Sequence, residues 1–311
     1  MDIALVGIGK IALDSHVPTI NASPDWALAA TVSRSNTIDG ITAYTDFSEL
    51  LETRTDIRTV SLCMPPAPRF SYAAAAIKAG RYVMLEKPPG GTLSECHTLQ
   101  TMAQHHDVSL YTTWHSREAA MVPAAKAWLA TRTLRNLRVE WKEDVRKWHP
   151  GQDWIWNPGG MGMFDMGING LSILTEIVAE PIHLKSALLQ VPENKQMPIA
   201  GSLHFFHPGG ADVSVELDWA HEGEESWSIR ADTDDGQMLL SQGGDVLEID
   251  GQVIEPKAGT VRGVAGEYHR LYQKMTKLVR SGESNFDLRP MRHVADAFAI
   301  GHRKTVAPFF D

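Results

Sequence analysis

The feature that most constrains the fold is a glycine-rich turn near the start of the chain. The run Gly7-Ile8-Gly9-Lys10-Ile11-Ala12 follows the apolar segment Ile3–Val6 and precedes a helical pattern. In such a strand–turn–helix unit the first glycine permits a tight turn, and the second lets the backbone approach a pyrophosphate. The small third residue allows close packing of helix on strand. The turn therefore predicts a dinucleotide-binding Rossmann unit.

The first third of the chain continues this pattern and alternates short β-type runs with helical ones. Such alternation is typical of a parallel sheet wrapped by helices. The predicted strands are Ile3–Val6, Trp26–Val32, Thr59–Met64, Tyr82–Leu85 and Val108–Trp114, and the predicted helices are Arg69–Ala79 and Leu93–His105.

The pattern of helices and alternating strands after residue 117 predicts an α+β domain. We expect an N-terminal Rossmann domain, residues 1–117, and a C-terminal domain, residues 118–311, with a large, mainly antiparallel open sheet, which makes the whole an α/β protein. The last helix is expected to pack back on the Rossmann domain. The predicted elements are a helix Val122–Thr131, a strand Leu134–Lys142, a helix from near Asp165, strands Ser202–Phe206, Asp212–Trp219, Ser226–Thr233, Gln237–Ser241 and Val246–Ile249, and helices Gly266–Arg280 and Arg292–Lys304.

Composition excludes several classes of protein. The net charge of -9, with no basic cluster, argues against a nucleic-acid-binding face. Cys63 and Cys96 are the only cysteines, so neither a disulfide framework nor a cysteine metal site is expected. No signal peptide and no long apolar run is found, so we predict a cytoplasmic protein with no membrane span.

The end of the second strand bears on the choice of cofactor. An acidic residue there usually binds the ribose 2′-hydroxyl of NAD, whereas arginine accommodates the 2′-phosphate of NADP. Ser33 and Arg34 stand at this point, with no acidic residue beside them. The sequence favours NADP, with NAD as the alternative, although Arg34 could also be an ordinary solvated loop residue.

Two further segments carry side chains suited to alcohol oxidation. Asp165 and Asn169 lie four residues apart, so they share one face of a helix, where a carboxylate can take a proton and an amide can hydrogen-bond beside it. Glu86-Lys87-Pro88 follows a strand, which puts Lys87 near the carboxyl edge of the sheet. A lysine in a surface turn is the simpler interpretation of that tripeptide alone.

Together these motifs resemble the glucose–fructose oxidoreductase/inositol dehydrogenase (Gfo/Idh/MocA) family. The resemblance rests on the G-x-G-x-x-A start, on Glu86-Lys87-Pro88 and on Asp165-x-Gly167-x-Asn169, in the family's order. Many members have histidine where this chain has Asn169, and that histidine is usually assigned a proton-transfer role. Because asparagine cannot take a proton, Asp165, or a water it orients, is left as the base.

A closer branch of the family is similar in three longer segments. Trp114–Arg117, Trp141–Gln152 and Phe164–Asn169 look like those of bacterial D-galactose/L-arabinose 1-dehydrogenases. The resemblance implies oxidation of the anomeric carbon of an aldopyranose (D-galactose, L-arabinose or D-fucose) to the lactone, in a homodimer formed through the C-terminal sheet. It makes Asp165, Lys87 and Asn169 the catalytic residues, and His115, Glu143, Trp148, His149, Asp165, Asn169 and Trp227 the monosaccharide-binding ones.

The complete predicted cofactor-binding set lies at the ends of the first strands. Trp148, Trp154 and Trp156 are expected to form a wall of the sugar site, whereas Trp219 and Trp227 fit the core equally well. The histidines and Glu143 have no compact ligand spacing, so no metal is predicted. The cofactor-binding residues are Gly7, Ile8, Gly9, Lys10, Ile11, Ser33, Arg34, Cys63, Pro65, Glu86 and Lys87.

Three other functions remain open from the sequence. The chain could act on another sugar or polyol, or reduce a carbonyl substrate. It could also be a non-catalytic NADP-dependent sensor, although both Lys87 and Asp165 are present. A purely structural protein would leave the polar residues of the predicted site unexplained.

Overall fold

The computed structural model describes residues 1–310, whose contacts divide the chain into two units. Unit 1 comprises Met1–His115 and Glu267–Leu288, and unit 2 comprises Ser116–Gly266 and the chain from Arg289 onward. The strands are β1 (Asp2–Val6), β2 (Ala27–Val32), β3 (Thr42–Tyr44), β4 (Thr59–Leu62), β5 (Tyr82–Glu86), β6 (Leu110–Thr113), β7 (Leu134–Lys142), β8 (His183–Pro192), β9 (Ala200–Phe206), β10 (Asp212–Asp218), β11 (Ser226–Thr233), β12 (Gly236–Ser241), β13 (Val246–Ile249), β14 (Gln252–Ile254) and β15 (His302–Val306). The α-helices are α1 (Val17–Ala22), α2 (Phe47–Thr53), α3 (Pro66–Lys78), α4 (Leu93–His105), α5 (Val122–Leu129), α6 (Val145–Trp148), α7 (Phe164–Ile177), α8 (Gly263–Ser281) and α9 (Arg289–Ile300).

Unit 1 is built on a six-stranded parallel sheet in the order β3-β2-β1-β4-β5-β6. Alternate residues of β1 face opposite sides of it: Ala4 and Val6 join one buried apolar cluster, and Ile3 and Leu5 join another. Because both faces are covered, β1 is apolar at all its positions after Asp2. This strand order is that of a Rossmann fold, with the reversal between β1 and β4.

The late segment Glu267–Leu288 is part of unit 1 because its apolar side chains complete a core there. Tyr268 and Tyr272 are buried in the same cluster as Ile3 and Leu5. Trp26 donates from its indole nitrogen to the Thr276 hydroxyl over 2.8 Å. The units are therefore discontinuous in sequence, unlike the division at residue 117 predicted above.

Unit 2 is built on a nine-stranded sheet in the order β14-β13-β12-β11-β7-β10-β9-β8-β15. All neighbours are antiparallel except β7 with β10 and β8 with β15. Along β10 buried residues alternate with half-exposed ones, so one face of the sheet carries the core. The helices α7 and α9 pack on that face, against β7 and β8 respectively.

Helix α7 lies unusually close to the sheet. A Cβ at Gly167 would stand 2.5 Å from a methyl carbon of Leu217, and one at Gly170 would stand 2.9 Å from the Trp141 ring. A side chain at either position requires a shift of Leu217 or Trp141 or of the helix itself, so the two glycines permit this close approach to the sheet. The helix is buried on nearly all sides, as its apolar composition requires.

The end of the chain corrects one prediction. The expected last helix, Arg292–Lys304, is instead α9, which ends at Ile300, followed by β15. Both α9 and β15 belong to unit 2, where β15 pairs in parallel with β8. The polar run from His302 resembles the last turn of a helix, but pairing with a distant strand decides its conformation.

The turn before α7 gives a stability prediction. Gly162 has φ +53°, and a Cβ there would lie 2.3 Å from the Pro198 carbonyl oxygen. We expect Gly162→Ala to lower the free energy of unfolding by about 2–4 kcal/mol, combining left-handed strain with a steric clash. Urea unfolding measures the loss. The control is Gly151→Ala, at φ +68° but in open space, which should cost only about 1–2 kcal/mol. Equal losses would contradict the role of the close approach.

Candidate active site

The glycine turn of unit 1 has the shape that a pyrophosphate requires. Gly7 has φ +87°, and a Cβ there would lie 2.8 Å from the backbone nitrogen of Met64, so only glycine fits. At Gly9 a Cβ would meet nothing within 4 Å, which leaves open space beside the loop. With the free N–H groups at the start of the following helix, this cradle fits a dinucleotide. Ile8, Lys10 and Ile11 complete the turn.

The loop after β2 is tied to the glycine turn. The Asn36 side-chain amide donates to the Ile8 carbonyl over 2.6 Å, and the Asn36 backbone N–H donates to the Ser33 hydroxyl over 3.2 Å. Arg34 is exposed on this loop and makes no ion pair within residues 1–310. Asn36 was missed from the sequence, where only its position after the second strand could have indicated it.

The other predicted cofactor residues lie at the ends of β4 and β5. Cys63 is buried, its thiol 3.7 Å from the Ser61 hydroxyl, and Pro65 is exposed just before α3. Lys87 is half-buried directly after β5. The buried Arg69 guanidinium of α3 donates to the carbonyls of Met64, Glu86 and Pro88, and so fixes the loops after both strands.

Glu86 is at the centre of a buried polar network. Its carboxylate accepts from the Nε2 of His16 over 2.9 Å, from the Tyr268 hydroxyl over 2.8 Å and from the backbone N–H of Lys87 over 3.1 Å. His16 stands in a π-helical turn, Ala12–His16, that follows the glycine loop. The carboxylate of the Glu-Lys-Pro motif therefore binds the protein itself and orients the start of the Lys87 loop.

The network carries an ion pair. Burial opposes the charge of Glu86, but hydrogen bonds from His16 and Tyr268 and the positive charge on His16 lower the pKa of this carboxyl to about 2. Burial likewise opposes the charge of His16, yet Cys63 and Glu86 raise the pKa of His16 well above its usual value. Burial raises the pKa of Tyr268, so its hydroxyl remains a donor.

His115, predicted to contact sugar, lies in unit 1. Its Nδ1 is 2.7 Å from a carboxylate oxygen of Glu267, and its ring stacks on Tyr268 with centroids 5.8 Å apart. The pairing with Glu267 and the stacking on Tyr268 fix the orientation of the imidazole ring. No pattern in the sequence indicated Glu267, because it is distant along the chain.

In unit 2, α7 carries the predicted acid–amide pair. Asp165 is buried in the first turn, where the helix dipole favours a negative charge, and Asn169 is half-buried one turn later. The turn before the helix is tight: a Cβ at Gly160 would lie 2.3 Å from the Trp154 carbonyl oxygen. The backbone N–H of Asp165 donates to the Gly162 carbonyl over 2.8 Å. The glycine-rich segment thus fixes the position of the carboxylate.

Trp219 contacts two other predicted site residues of unit 2, Glu143 and His149. Its indole N–H donates to one Glu143 oxygen over 3.0 Å, while the Trp227 indole donates to the other over 2.9 Å. The ring of His149 meets Trp219 edge to face at 5.2 Å, and the Nε2 of His149 is 3.5 Å from Asp165 Oδ2. Glu143, His149 and Asp165 are thereby brought together around a fully buried tryptophan that the sequence left as core or contact.

The predicted tryptophan wall is divided between surface and core. Trp148 is 39% exposed, lies 5.8 Å from the Trp227 ring and donates to Glu225 over 2.7 Å. Trp154 is half-buried. Trp156 is buried against Trp219, so it supports the core. Of the three, Trp148 offers the most exposed aromatic surface.

The described residues contain no arrangement of three or more His, Cys, Asp or Glu side chains that could hold a metal ion. Among residues 1–310, no helix is long and apolar enough to cross a membrane.

Comparison with known proteins places this geometry in a family. A family model described as an oxidoreductase family with an NAD-binding Rossmann fold matches residues 1–113. A galactose 1-dehydrogenase from Pseudomonas fluorescens is 39% identical over 323 aligned positions, covering 99% of this chain and 98% of that enzyme. The chain belongs to the Gfo/Idh/MocA oxidoreductase family. The predicted family and the predicted NAD(P)-dependent oxidoreductase class are confirmed.

Two solved structures agree with the fold. The D-galactose-1-dehydrogenase from Rhizobium etli has a TM-score of 0.94 at 47% identity, over 99% of this chain and 97% of that one. A 3-ketoreductase from Actinomadura kijaniata, solved with NADP, has a TM-score of 0.83 at 16% identity, over 98% and 99%. The second likeness shows a shared fold alone. The predicted α/β fold, with its Rossmann sheet and mainly antiparallel second sheet, is confirmed.

The lowered pKa of Glu86 predicts how the free energy of unfolding changes at low pH. The lowered pKa of Glu86 means that its contribution is present above about pH 4.3, its unfolded pKa, and is lost as the pH falls toward about 2. We expect the free energy of unfolding to fall by about 3 kcal/mol across this window, and Glu86→Gln to remove that part of the slope. The raised pKa of His16 acts at the other end: its contribution is present below about pH 6.5 and is lost as the pH rises through the raised value.

Urea unfolding at a series of pH values measures the difference. The matched control is Glu222→Gln, at an exposed ion pair with Arg146, which should leave the acid slope almost unchanged. A slope in Glu86→Gln equal to that of the unsubstituted protein would contradict the assignment.

Proposed function

We propose that this oxidoreductase oxidises the anomeric carbon of an aldopyranose to the lactone, with D-galactose as a substrate and NADP as the preferred cofactor. The observation that carries the proposal is the full-length similarity to two enzymes named galactose 1-dehydrogenase, at 39% and 47% identity. L-Arabinose and D-fucose are proposed as further substrates, because they share the ring stereochemistry of D-galactose and differ from it at the C5 substituent.

Asp165 is proposed as the base. It is buried, held by the glycine-rich turn, and placed in the first turn of α7, and a carboxylate can accept the proton of an alcohol. As the C1–H bond breaks with its electron pair, the O–H bond of the C1 hydroxyl gives its proton to Asp165 and a carbonyl forms. When bound, the nicotinamide supplies the hydride acceptor.

Lys87 and Asn169 are proposed to assist at the same hydroxyl, as the family resemblance implies. Asn169, one helical turn after Asp165, can donate from its amide to the hydroxyl or to the ring oxygen. Lys87 contributes a cation from the loop that Arg69 and Glu86 fix. Positive charge near a departing proton lowers the pKa of the hydroxyl that loses it.

The other predicted residues are proposed to bind the sugar. Glu143 is proposed to accept hydrogen bonds from sugar hydroxyls through the carboxylate that the indoles of Trp219 and Trp227 orient. His115 and His149 add polar groups, and the exposed ring of Trp148, with Trp227 beside it, suits the apolar C–H face of a pyranose. A site that hydrogen-bonds each hydroxyl strongly rejects sugars that lack one.

A homodimer through the open sheet of unit 2 is also proposed, from the resemblance. The side chains of the face opposite α7 and α9 form half-exposed cross-strand rows, such as Ser202, Glu216, Glu140 and Ser228 on neighbouring strands. This polar face is where a second copy would pair.

An assay with an aldose panel tests the function. Purified protein with NADP and D-galactose, L-arabinose or D-fucose should generate reduced cofactor, followed by its near-ultraviolet absorbance. Asp165→Asn should lower kcat by about 10²–10⁴-fold, because the amide cannot take the proton, while NADP affinity stays unchanged.

The control for this substitution is Asp153→Asn, at an exposed carboxylate of the same unit, and it should keep full turnover. Binding of NADP with no turnover of any aldose would favour the sensor instead. Full activity of Asp165→Asn would remove Asp165 as the base.

The choice of cofactor is tested at Arg34. If its guanidinium binds the 2′-phosphate, Arg34→Ala should raise KM for NADP by about 10- to 100-fold, the value of a charge-assisted hydrogen bond. KM for NAD, which lacks that phosphate, serves as the internal control and should hardly change. Parallel increases for both cofactors would place Arg34 outside the recognition of the phosphate.

A further inference from the structure

His149 and Asp165 form a contact whose geometry suits proton transfer. The Nε2 of His149 lies 3.5 Å from Asp165 Oδ2, somewhat longer than an ordinary hydrogen bond of about 2.7–3.2 Å. Such contacts at reacting groups commonly shorten when substrate binds. The two side chains come from different segments: His149 follows α6, its N–H bonded to the Val145 carbonyl over 2.8 Å, and Asp165 begins α7.

Neighbouring groups determine which nitrogen of His149 carries the proton. The Trp154 indole N–H, which can only donate, lies 3.2 Å from the Gln152 Oε1. This identifies the atom as the amide oxygen, which can only accept. The Nδ1 of His149 is 3.4 Å from the same oxygen, so Nδ1 bears the hydrogen. In the neutral ring the lone pair is then on Nε2, which is the nitrogen that faces Asp165.

His149 is more exposed to solvent than Asp165, which favours movement of a proton from Asp165 to His149 and then to water. The side chain of Asp165 is 5% exposed, whereas that of His149 is 23% exposed. The edge-to-face packing of the imidazole on Trp219 holds its plane. A proton on Asp165 thus has a basic nitrogen beside it that is itself in contact with water.

We propose that His149 is a proton-relay residue, which takes the substrate proton from Asp165 and releases it to water. The proposal rests on the proposed function, in which Asp165 receives that proton. In the relay the O–H bond on Asp165 breaks as an N–H bond forms at Nε2, leaving a carboxylate beside an imidazolium. The imidazolium then gives one proton to water and returns to the neutral ring. No electrons are transferred in these steps, and one proton is released per sugar oxidised.

The relay differs in its kinetics from a sugar contact. Loss of a contact raises KM, whereas loss of a relay lowers kcat and makes turnover depend on external proton acceptors. We expect His149→Ala, assayed with D-galactose and NADP in dilute buffer, to lower kcat by about 10²-fold. Added imidazole should restore turnover in a saturable manner, because it can enter the space left by the side chain.

Two further readouts accompany the rescue. In His149→Ala the solvent deuterium isotope effect on kcat should increase, and the effect of deuterium at C1 of the sugar should decrease, since proton transfer becomes limiting. His149→Gln, which keeps the bulk of the side chain but cannot relay, should lose turnover to a similar extent and resist rescue. Thermal unfolding of both variants establishes that they are folded.

A surface pair provides the matched control. His221 stands with its Nδ1 4.0 Å from Asp218 Oδ2 in the same unit, so it is another histidine beside an aspartate. His221→Ala should keep kcat and should not respond to imidazole. A response equal to that of His149→Ala would make the rescue non-specific and would overturn the relay.

The outcomes separate the relay from the proposed function. Activity in Asp165→Asn would overturn both. An inactive Asp165→Asn that imidazole does not rescue, together with a rescued His149→Ala, supports both. Folded His149→Ala with unchanged kcat and a raised KM, or with a lowered kcat that imidazole leaves unaltered, overturns the relay alone and leaves Asp165 as the base.

Discussion

The buried carboxylate of Glu86 is the interaction on which the architecture of unit 1 depends. It joins the end of β5, the π-helical turn after the glycine loop, and the distant segment that contains Tyr268. A buried charge is costly unless it is paired and hydrogen-bonded, so the Glu86 carboxylate is stabilised only where these three parts of the chain meet. The same carboxylate accepts from the Lys87 backbone, which links the stability of the fold to the conformation of the loop that begins at Lys87.

Unit 2 also contains a buried carboxylate, and there aromatic side chains donate hydrogen bonds to it. Glu143 is buried there, and two indole N–H groups donate to its carboxylate oxygens. Indoles can only donate and carry no charge, so they orient the carboxylate without forming an ion pair with it. Trp219 also packs against His149, which makes one buried ring the common support of the groups around Asp165.

Local sequence patterns predicted most of the helices and strands. Contacts between segments that are distant along the chain could not be predicted. The glycine turn, the alternating strands and the Asp165–Asn169 spacing are local, so sequence alone could predict the Rossmann sheet and the acid–amide pair on one helix. The pairing of β15 with β8, the place of Glu267–Leu288 in unit 1 and the contact of His149 with Asp165 each join remote segments. Periodicity contains no information about such partners. For the same reason the sequence did not predict that Trp219 binds Glu143 and packs on His149.

Gly167 and Gly170 let α7 pack directly on the sheet, so the position of the sheet determines the position of the Asp165 carboxylate on this helix. Because a Cβ at Gly167 or Gly170 would meet Leu217 or Trp141, a larger residue there requires a shift of those side chains or a displacement of the helix that carries Asp165. The loop that carries Trp148, His149 and Gln152 contacts Asp165 through His149, whose ring packs on Trp219 directly after β10, so this loop and the sheet together bound the space around the carboxylate.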